Sequence, residues 1–193
     1  MNEIIEQPKT VERSGQAPFA GPLGSASGMD LKPLRYVLGF LFRDNCTSVA
    51  LIRKDKPKWQ AGLLNGIGGK IEDGETELEA MVREFREETG VDTSESGWRQ
   101  YCEMSGDAFT VYCFVARDSD AWEKAATETS ETVEKHHPDL LSEQDCVSNL
   151  RWLVELALDE NYGKDIYATV RYSRPFRMQN TELTDRRGAG SVK

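Results

Sequence analysis

Residues 69–91 read GKIEDGETELEAMVREFREETGV, and this stretch decides the fold of the chain. Between Thr76 and Thr89 apolar residues recur at intervals of three and four, which predicts a helix with one face toward a core. These apolar residues are Leu78, Met81, Val82 and Phe85. Thr76 is placed to cap the helix start, with Glu79 three residues on as its capping-box partner. Gly90 follows, where a helix end favours a residue that tolerates the left-handed conformation.

Acidic side chains are concentrated on one sector of this predicted helix. Glu84, Glu87 and Glu88 are three and four residues apart, so their carboxylates are neighbours. Like charges at this spacing repel by about 0.2–0.5 kcal/mol per pair, and we therefore expect a compensating cation. Magnesium is held in proteins by a few carboxylates together with substrate phosphates. The alternative is a solvated acidic helix face, although Arg83 lies among these acids and Glu75 is near enough in sequence to pair with it.

The segment before the helix is rich in glycine. Residues 65–70 read NGIGGK, which predicts a turn. Glycine lets a backbone adopt positive φ or approach a ligand closely. The sequence therefore places a close-approach loop directly before the acidic helix.

The spacing of residues 69–91 resembles the Nudix box. That box runs Gly, five residues, Glu, seven residues, Arg-Glu-apolar, one residue, Glu-Glu, one residue, Gly-apolar. Every defined position is filled here, by Gly69, Glu75, Arg83-Glu84-Phe85, Glu87-Glu88 and Gly90-Val91. The resemblance implies a metal-dependent hydrolase that cleaves a diphosphate bond in a nucleotide. It also implies an α/β fold, the Nudix-type α/β/α sandwich with a mixed sheet.

The family pattern also implies a set of metal ligands. The matching positions are Glu84, Glu87 and Glu88, and Glu84 is in addition expected to help deprotonate the attacking water. Gly68 or Gly69 would add a backbone carbonyl to the same site. The expected cofactor is Mg²⁺, with Mn²⁺ as the alternative ion.

Two basic residues of the box segment receive different roles. Arg83 is expected to belong to the catalytic group as the residue that, with Glu75, orients the helix and the loop. Lys70 is expected to contact a phosphate as a point charge.

Family members often draw a further acidic ligand from a loop after the central strands. The candidates here are Glu128, Glu131 and Glu134. We expect Glu131 to be the metal ligand, because it opens a segment predicted to be a strand. A solvated acidic loop is the alternative for each of them.

Residues 64–70 are similar to the corresponding turn of purine nucleoside triphosphatases that remove oxidised nucleotides. In those proteins the matching asparagine faces the base, so Asn65 is expected at the edge of a purine, where an amide can donate and accept. Trp59 or Phe40 is expected to stack on the ring. The alternatives are that Asn65 bonds to its own backbone within a turn, and that both rings serve ordinary packing.

We therefore expect a magnesium-dependent hydrolase that converts an ordinary or oxidised purine nucleoside triphosphate to the monophosphate and pyrophosphate. Hydrolysis of ADP-ribose, NADH or another nucleotide conjugate stays open, because the box is shared across these activities. A non-catalytic nucleotide-binding regulator would be expected to lack some box carboxylates, and all of them are present.

Net charge, apolar run length and cysteine spacing limit the classes of binding partner and the cellular compartment that we expect. The formal net charge of −9 argues against a sequence-independent nucleic-acid binder, which needs a basic patch. No stretch approaches the roughly 18 apolar residues of a membrane span. The cysteine spacing suits neither a zinc site nor a disulfide framework, so we expect a cytoplasmic protein with free thiols at Cys46, Cys102, Cys113 and Cys146. The sequence leaves a homodimer open.

The 193 residues are enough for one catalytic domain. We expect a flexible extension at 1–30, the hydrolase domain at 31–178 and a flexible tail at 179–193. Apolar patterning predicts a second helix over 148–159. Residues 118–137 are predicted to form a long loop with a short strand near 131–134. The other strands are predicted at 35–42, 48–53, 98–103, 110–116 and 167–172.

Overall fold

The computed structural model describes residues 33–159 and 167–172. The predicted extension at 1–30 and the predicted tail at 179–193 lie outside the described residues. Within the described ranges no helix is both long and apolar enough to cross a membrane.

Seven strands, three helices and two short 3₁₀ turns form the described part of the chain. The strands are β1 (Leu34–Phe42), β2 (Val49–Arg53), β3 (Leu64–Asn65), β4 (Arg99–Gly106), β5 (Phe109–Arg117), β6 (Thr132–His136) and β7 (Ala168–Arg171). The helices are α1 (Glu77–Thr89), α2 (Ser119–Lys124) and α3 (Leu150–Leu158). The 3₁₀ turns are Glu95–Gly97 and Pro138–Glu143.

The strands form one mixed sheet in the order β3-β2-β1-β5-β4-β7, with β6 paired to β2. Strand β1 runs parallel to β5 over its whole length, from Leu34 opposite Phe109 to Phe42 opposite Arg117. Strands β4 and β5 are antiparallel, and β7 runs parallel to β4 at the far edge. On the other side β6 runs antiparallel to β2.

The sheet opens between β1 and β2, and this opening positions the glycine-rich segment. Strand β2 pairs with β1 only at Leu41 and Phe42. Beyond those residues the edge of β1 is occupied by the segment 67–71, with the amide of Gly39 donating to Ile67 at 2.7 Å. The glycine-rich segment is therefore an extended strip that lies along β1, and the prediction of a turn was wrong here. Local glycine content favours a turn, but the free hydrogen-bonding edge of β1 extends the chain.

Each face of the sheet is covered by helix. On one face Leu38, Phe40 and Leu51 pack in a core with the buried side of α3. On the opposite face Leu41 and Ile52 pack with α1 and α2. These layers confirm the predicted α/β/α sandwich with a mixed sheet.

Helix α1 begins and ends as its sequence predicts. The hydroxyl of Thr76 accepts from the amide of Glu79, and the Glu79 carboxylate accepts from the amide of Thr76 at 2.8 Å, which completes the capping box. Gly90 ends the helix with φ of 72°. Phe85 is fully buried on the core side of the helix, edge-on to Trp98 at 5.2 Å between ring centroids. Burial of this face fixes α1 against the sheet.

Two short elements of the structure have no signal in the sequence pattern. Helix α2 forms within the region predicted to be a long loop, because Asp118 caps it and its buried residues Ala121 and Trp122 pack on the sheet. Strand β3 consists of two residues paired with β2. Both are too short for a periodic pattern, so tertiary contacts decide them.

Candidate active site

The extended strip places Gly68 directly under α1. Its amide donates to Oε2 of Glu88 at 3.1 Å, and its φ is 150°. A Cβ at this position would lie 2.3 Å from the carbonyl oxygen of Val37. This clash is with backbone, so it could be removed only by moving strand β1. Gly68 is therefore required both by its backbone conformation and by its close approach to β1.

Gly69 leaves room for a carboxylate. A Cβ built on Gly69 would lie 2.5 Å from the carboxylate carbon and both oxygens of Glu84. The Gly69 carbonyl accepts from the amide of Val37 at 2.9 Å, so the strip is held against β1 at this residue. A carbonyl oxygen has a second lone pair, and the role of Gly69 as a metal ligand stays a prediction.

Arg83 joins the acids of the box into one network. Its guanidinium donates to both oxygens of Glu75, at 2.6 and 2.9 Å, which confirms that pair. It also donates to Glu84 at 2.9 Å, to Glu87 at 3.3 Å and to the carbonyl of Lys70 at 3.0 Å. The hydrogen bonds to Glu75 and Glu84 raise the pKa of Arg83 above its usual value. The same contact with Arg83 lowers the pKa of Glu75, so this pair stays ionised.

The three box carboxylates differ in their surroundings. The Glu87 side chain is 52% exposed, whereas those of Glu84 and Glu88 are 15% and 11% exposed. Burial raises the pKa of Glu84, although the contact with Arg83 offsets part of this effect. Burial raises the pKa of Glu88 to about 7, with Lys54 and the Gly68 amide opposing the shift. Glu88 is therefore the carboxylate with the greatest need of a positive partner.

Glu131 lies beside this group, and a lysine connects them. One oxygen of Glu131 pairs with the ammonium of Lys54, and the other accepts from the amides of Asp55 at 3.1 Å and Lys56 at 3.4 Å. The Lys54 ammonium is also 3.9 Å from Oε1 of Glu88. Glu131 is thus close to the box carboxylates, but its oxygens already have partners.

The two other acidic candidates are placed differently. Glu134 is paired with Arg53, which lowers its pKa, and its Oε2 lies 2.9 Å from Nε2 of His136. The exposed Glu128 lies at the end of α1, where its amide donates to the carbonyl of Glu88 at 3.4 Å. Of the three acids, Glu131 is the one that shares the Lys54 ammonium with Glu88.

The predicted substrate-binding residues fall into a buried and an exposed pair. Asn65 is 3% exposed, and its Oδ1 accepts from the amide of Gly66 at 2.9 Å, as in the alternative interpretation of a backbone bond. Phe40 has no exposed surface and packs in the core under α3. Trp59 is 39% exposed, and Lys70 is exposed on the strip. The stacking role of Phe40 and the base contact of Asn65 stay predictions.

The donor set fits a hard divalent cation. Carboxylate oxygens are the ligands that Mg²⁺ and Mn²⁺ take in proteins, and Glu88 is a buried carboxylate held next to a backbone strip. In residues 33–159 and 167–172, however, no three acidic, histidine or cysteine side chains stand close enough together to form a ready-made cage. The box carboxylates are instead neutralised by Arg83 and Lys54.

Lys54 is the site residue that sequence reasoning missed. It follows β2 directly and is 77 positions from Glu131 in the chain. No local pattern links residues so far apart. The available signal was a lysine at the end of a predicted strand, at the start of a loop rich in lysine.

The sequence matches the profile of the NUDIX domain over residues 32–155. The chain belongs to the Nudix family. Nudix hydrolases act on pyrophosphate bonds and generally use divalent metal ions, and this chain is an enzyme of that class. A search of curated protein sequences finds no match.

Solved structures with the same fold include further Nudix proteins. A MutT mutator protein of Bacillus halodurans is 20% identical, with a TM-score of 0.56 over 75% of this chain and 93% of that one. A Nudix hydrolase of Nitrosomonas europaea is 15% identical, with a TM-score of 0.59 over 76% and 82%. The Nudix domain of Shewanella oneidensis NrtR, solved with ADP-ribose, is 22% identical, with a TM-score of 0.55 over 66% and 87%. At these identities the likeness establishes the fold alone.

The fit between Gly69 and Glu84 predicts the effect of Gly69→Ala. The added methyl group must displace the Glu84 carboxylate, the end of a flexible side chain, so the fold should persist while this expected metal ligand moves. We expect Mn²⁺ affinity to fall about 10- to 100-fold, as when a supporting contact of a metal site is lost. Titration calorimetry measures this. Gly97→Ala is the matched control, because its Cβ would meet nothing nearer than 3.6 Å. Unchanged affinity in Gly69→Ala would contradict the prediction.

The raised pKa of Glu88 predicts a pH dependence of cation binding. Protons compete with the metal for a carboxylate whose pKa is about 7, so affinity should weaken about tenfold per pH unit as the pH falls below 7. A raised pKa also means that Glu88 stabilises the folded state fully below about pH 4.5, its ordinary pKa. This contribution to the free energy of unfolding is lost as the pH rises through about 7. Mn²⁺ titrations between pH 5.5 and 8 measure the slope. Glu88→Gln should bind more weakly and with a shallower slope, whereas equal wild-type affinity across this range would contradict the assignment.

Proposed function

We propose that this Nudix hydrolase cleaves a purine nucleoside triphosphate, ordinary or oxidised, to the nucleoside monophosphate and pyrophosphate, with Mg²⁺ as the cofactor. One water is consumed for each anhydride bond that breaks between the α- and β-phosphates. One phosphorus gains the oxygen of that water, the other phosphate keeps the bridging oxygen, and the protons of water are released to the products or the solvent. Mn²⁺ is the alternative ion.

One observation carries this proposal. The Arg83 guanidinium contacts Glu75, Glu84 and Glu87 together, directly beside the glycine strip that approaches Glu84 and Glu88. A solvated acidic helix face would leave these side chains exposed and independently mobile. Two of the three box carboxylates are instead largely buried and hydrogen-bonded in defined positions. Such preorganisation is what a site for phosphoryl chemistry requires.

The box carboxylates would bind the cation, and neighbouring groups orient these carboxylates. Glu84, Glu87 and Glu88 would hold the divalent cation, which supplies charge neutralisation and a more acidic water. Arg83 orients Glu84 and Glu87 through its hydrogen bonds, and the Gly68 amide orients Glu88. Glu84 is the residue that we propose accepts a proton from the attacking water.

Two exposed residues favour a nucleotide substrate. Lys70 is exposed on the strip, and its carbonyl accepts from Arg83 of the box, so its ammonium could attract a phosphate. Trp59 offers part of its ring to solvent in the loop that follows β2, and an exposed indole can stack on a purine. Asn65 is the proposed contact to the base edge. The free thiols of the described cysteines are consistent with a cytoplasmic location.

Removing a box carboxylate should strongly lower turnover without unfolding the protein. We expect Glu87→Gln and Glu88→Gln each to lower kcat by about 100-fold or more, since even loss of a supporting contact costs 10- to 100-fold. Released pyrophosphate and the circular dichroism spectrum measure activity and fold. Glu155→Gln, at an exposed position on α3, is the control and should retain full activity. A double variant of Glu87 and Glu88 with full activity would refute the assignment.

The substrate class is tested by a turnover screen with product identification. Ordinary and oxidised purine triphosphates, ADP-ribose, NADH and a dinucleoside polyphosphate are compared in the presence of Mg²⁺. Pyrophosphate together with a monophosphate, from a purine triphosphate, is the expected result. Cleavage of ADP-ribose or NADH without triphosphate turnover would overturn the substrate and keep the site, in line with the ADP-ribose complex of the NrtR domain.

A further inference from the structure

Lys54 is fixed by its backbone at the edge of the carboxylate group. It follows β2, and its amide and carbonyl both bond to the loop before β3, at 3.0 Å to Leu63 and 2.8 Å from Gly62. Its side chain is 14% exposed, so the ammonium lies mostly out of solvent. An ammonium in such a place needs anionic partners.

Its two partners are not equivalent. Glu131 is anchored to the same loop, because its other oxygen accepts from the amides of Asp55 and Lys56. Lys54 and Glu131 therefore belong to one hydrogen-bonded group. Glu88 belongs to α1 and is held at Oε2 by Gly68, while its Oε1 is 3.9 Å from the Lys54 ammonium.

The cation site and Lys54 consequently share one carboxylate. A divalent ion on Glu88 would place two further positive charges next to the ammonium, and like charges in a poorly solvated site repel strongly. The lysine stem is flexible, and Glu131 remains as a partner when the ammonium withdraws. When a divalent ion replaces the Lys54 ammonium at Glu88, each buried charge therefore still has a partner of opposite charge.

We propose that Lys54, anchored by Glu131, is an internal competitor of the divalent cation for Glu88. Lys54 stabilises the protein at low cation concentration and weakens cation binding, so it sets the concentration at which the enzyme becomes loaded. Glu131 acts in this arrangement as a positioning residue for Lys54. The inference rests on the proposed cation-binding role of the box carboxylates.

The test is Mn²⁺ binding without nucleotide, measured by the electron paramagnetic resonance signal of free Mn²⁺, in wild type, Lys54→Met, Lys54→Arg and Lys58→Met. We expect Lys54→Met to bind Mn²⁺ at least fivefold more tightly. Lys54→Arg keeps the charge and should bind like wild type. Lys58→Met removes a charge from the same loop at an exposed position and should also bind like wild type.

Thermal unfolding supplies a second readout. In EDTA, Lys54→Met should unfold at a lower temperature than wild type, because two buried carboxylates lose their counter-charge. Saturating Mn²⁺ should raise its Tm by more than it raises that of wild type. If Lys54→Met does not fold, Lys54→Gln provides the same comparison with a donor to Glu131 retained.

The outcomes separate this inference from the proposed function. Equal or weaker Mn²⁺ binding by Lys54→Met, with normal binding by wild type, overturns the competition and leaves the cation site intact. If Lys58→Met also binds Mn²⁺ more tightly, the net charge of the loop explains the change in affinity, and the specific role of Lys54 is overturned. Failure of wild type to bind Mn²⁺ would overturn both.

Discussion

The close approach of the Gly68–Gly69 backbone to the carboxylates of Glu84 and Glu88 is the constraint on which the site depends. It requires an extended strip along β1, which exists only because β2 leaves that edge after two paired residues. It also requires the absence of a Cβ at both glycines. The sheet opening, the strip and the helix are therefore one arrangement, and a change in any of them alters the distances between the acids.

Charge balance follows from that geometry. Packing α1 onto the strip buries two carboxylates, and burial disfavours their ionised forms. The chain compensates with Arg83 from the same helix and Lys54 from the end of β2. Arg83 is shared among several acids and holds the box together, whereas Lys54 contacts only the acids at one margin of the site. Arg83 therefore fixes the positions of the box acids relative to one another, whereas Lys54 balances charge at one margin of the site.

Much of the local structure follows from sequence pattern. The apolar spacing and caps of α1 predict a helix with nearly the observed bounds, and the long strands β1 and β5 lie where β-branched and aromatic runs place them. Short elements such as α2 and β3 could not be predicted, because their residues gain enough stabilisation only through tertiary packing. The glycine content of residues 65–70 predicts a turn, whereas residues 67–71 form an extended strip along β1. Glycine content is a local property, and it carries no information on the free edge of a distant strand.

The sequence by itself determined the family, the helix that carries the carboxylates and the pairing of Arg83 with Glu75, since these depend on spacing within one continuous segment. The tertiary structure alone decided which distant residues join that helix. The pairing of β2 with β6 brings Glu131 next to Lys54, and Lys54 reaches Glu88. The burial of Asn65 and Phe40 depends on the packing of the sheet. Sequence spacing carries no information on such contacts, because they depend on how separate segments meet in space.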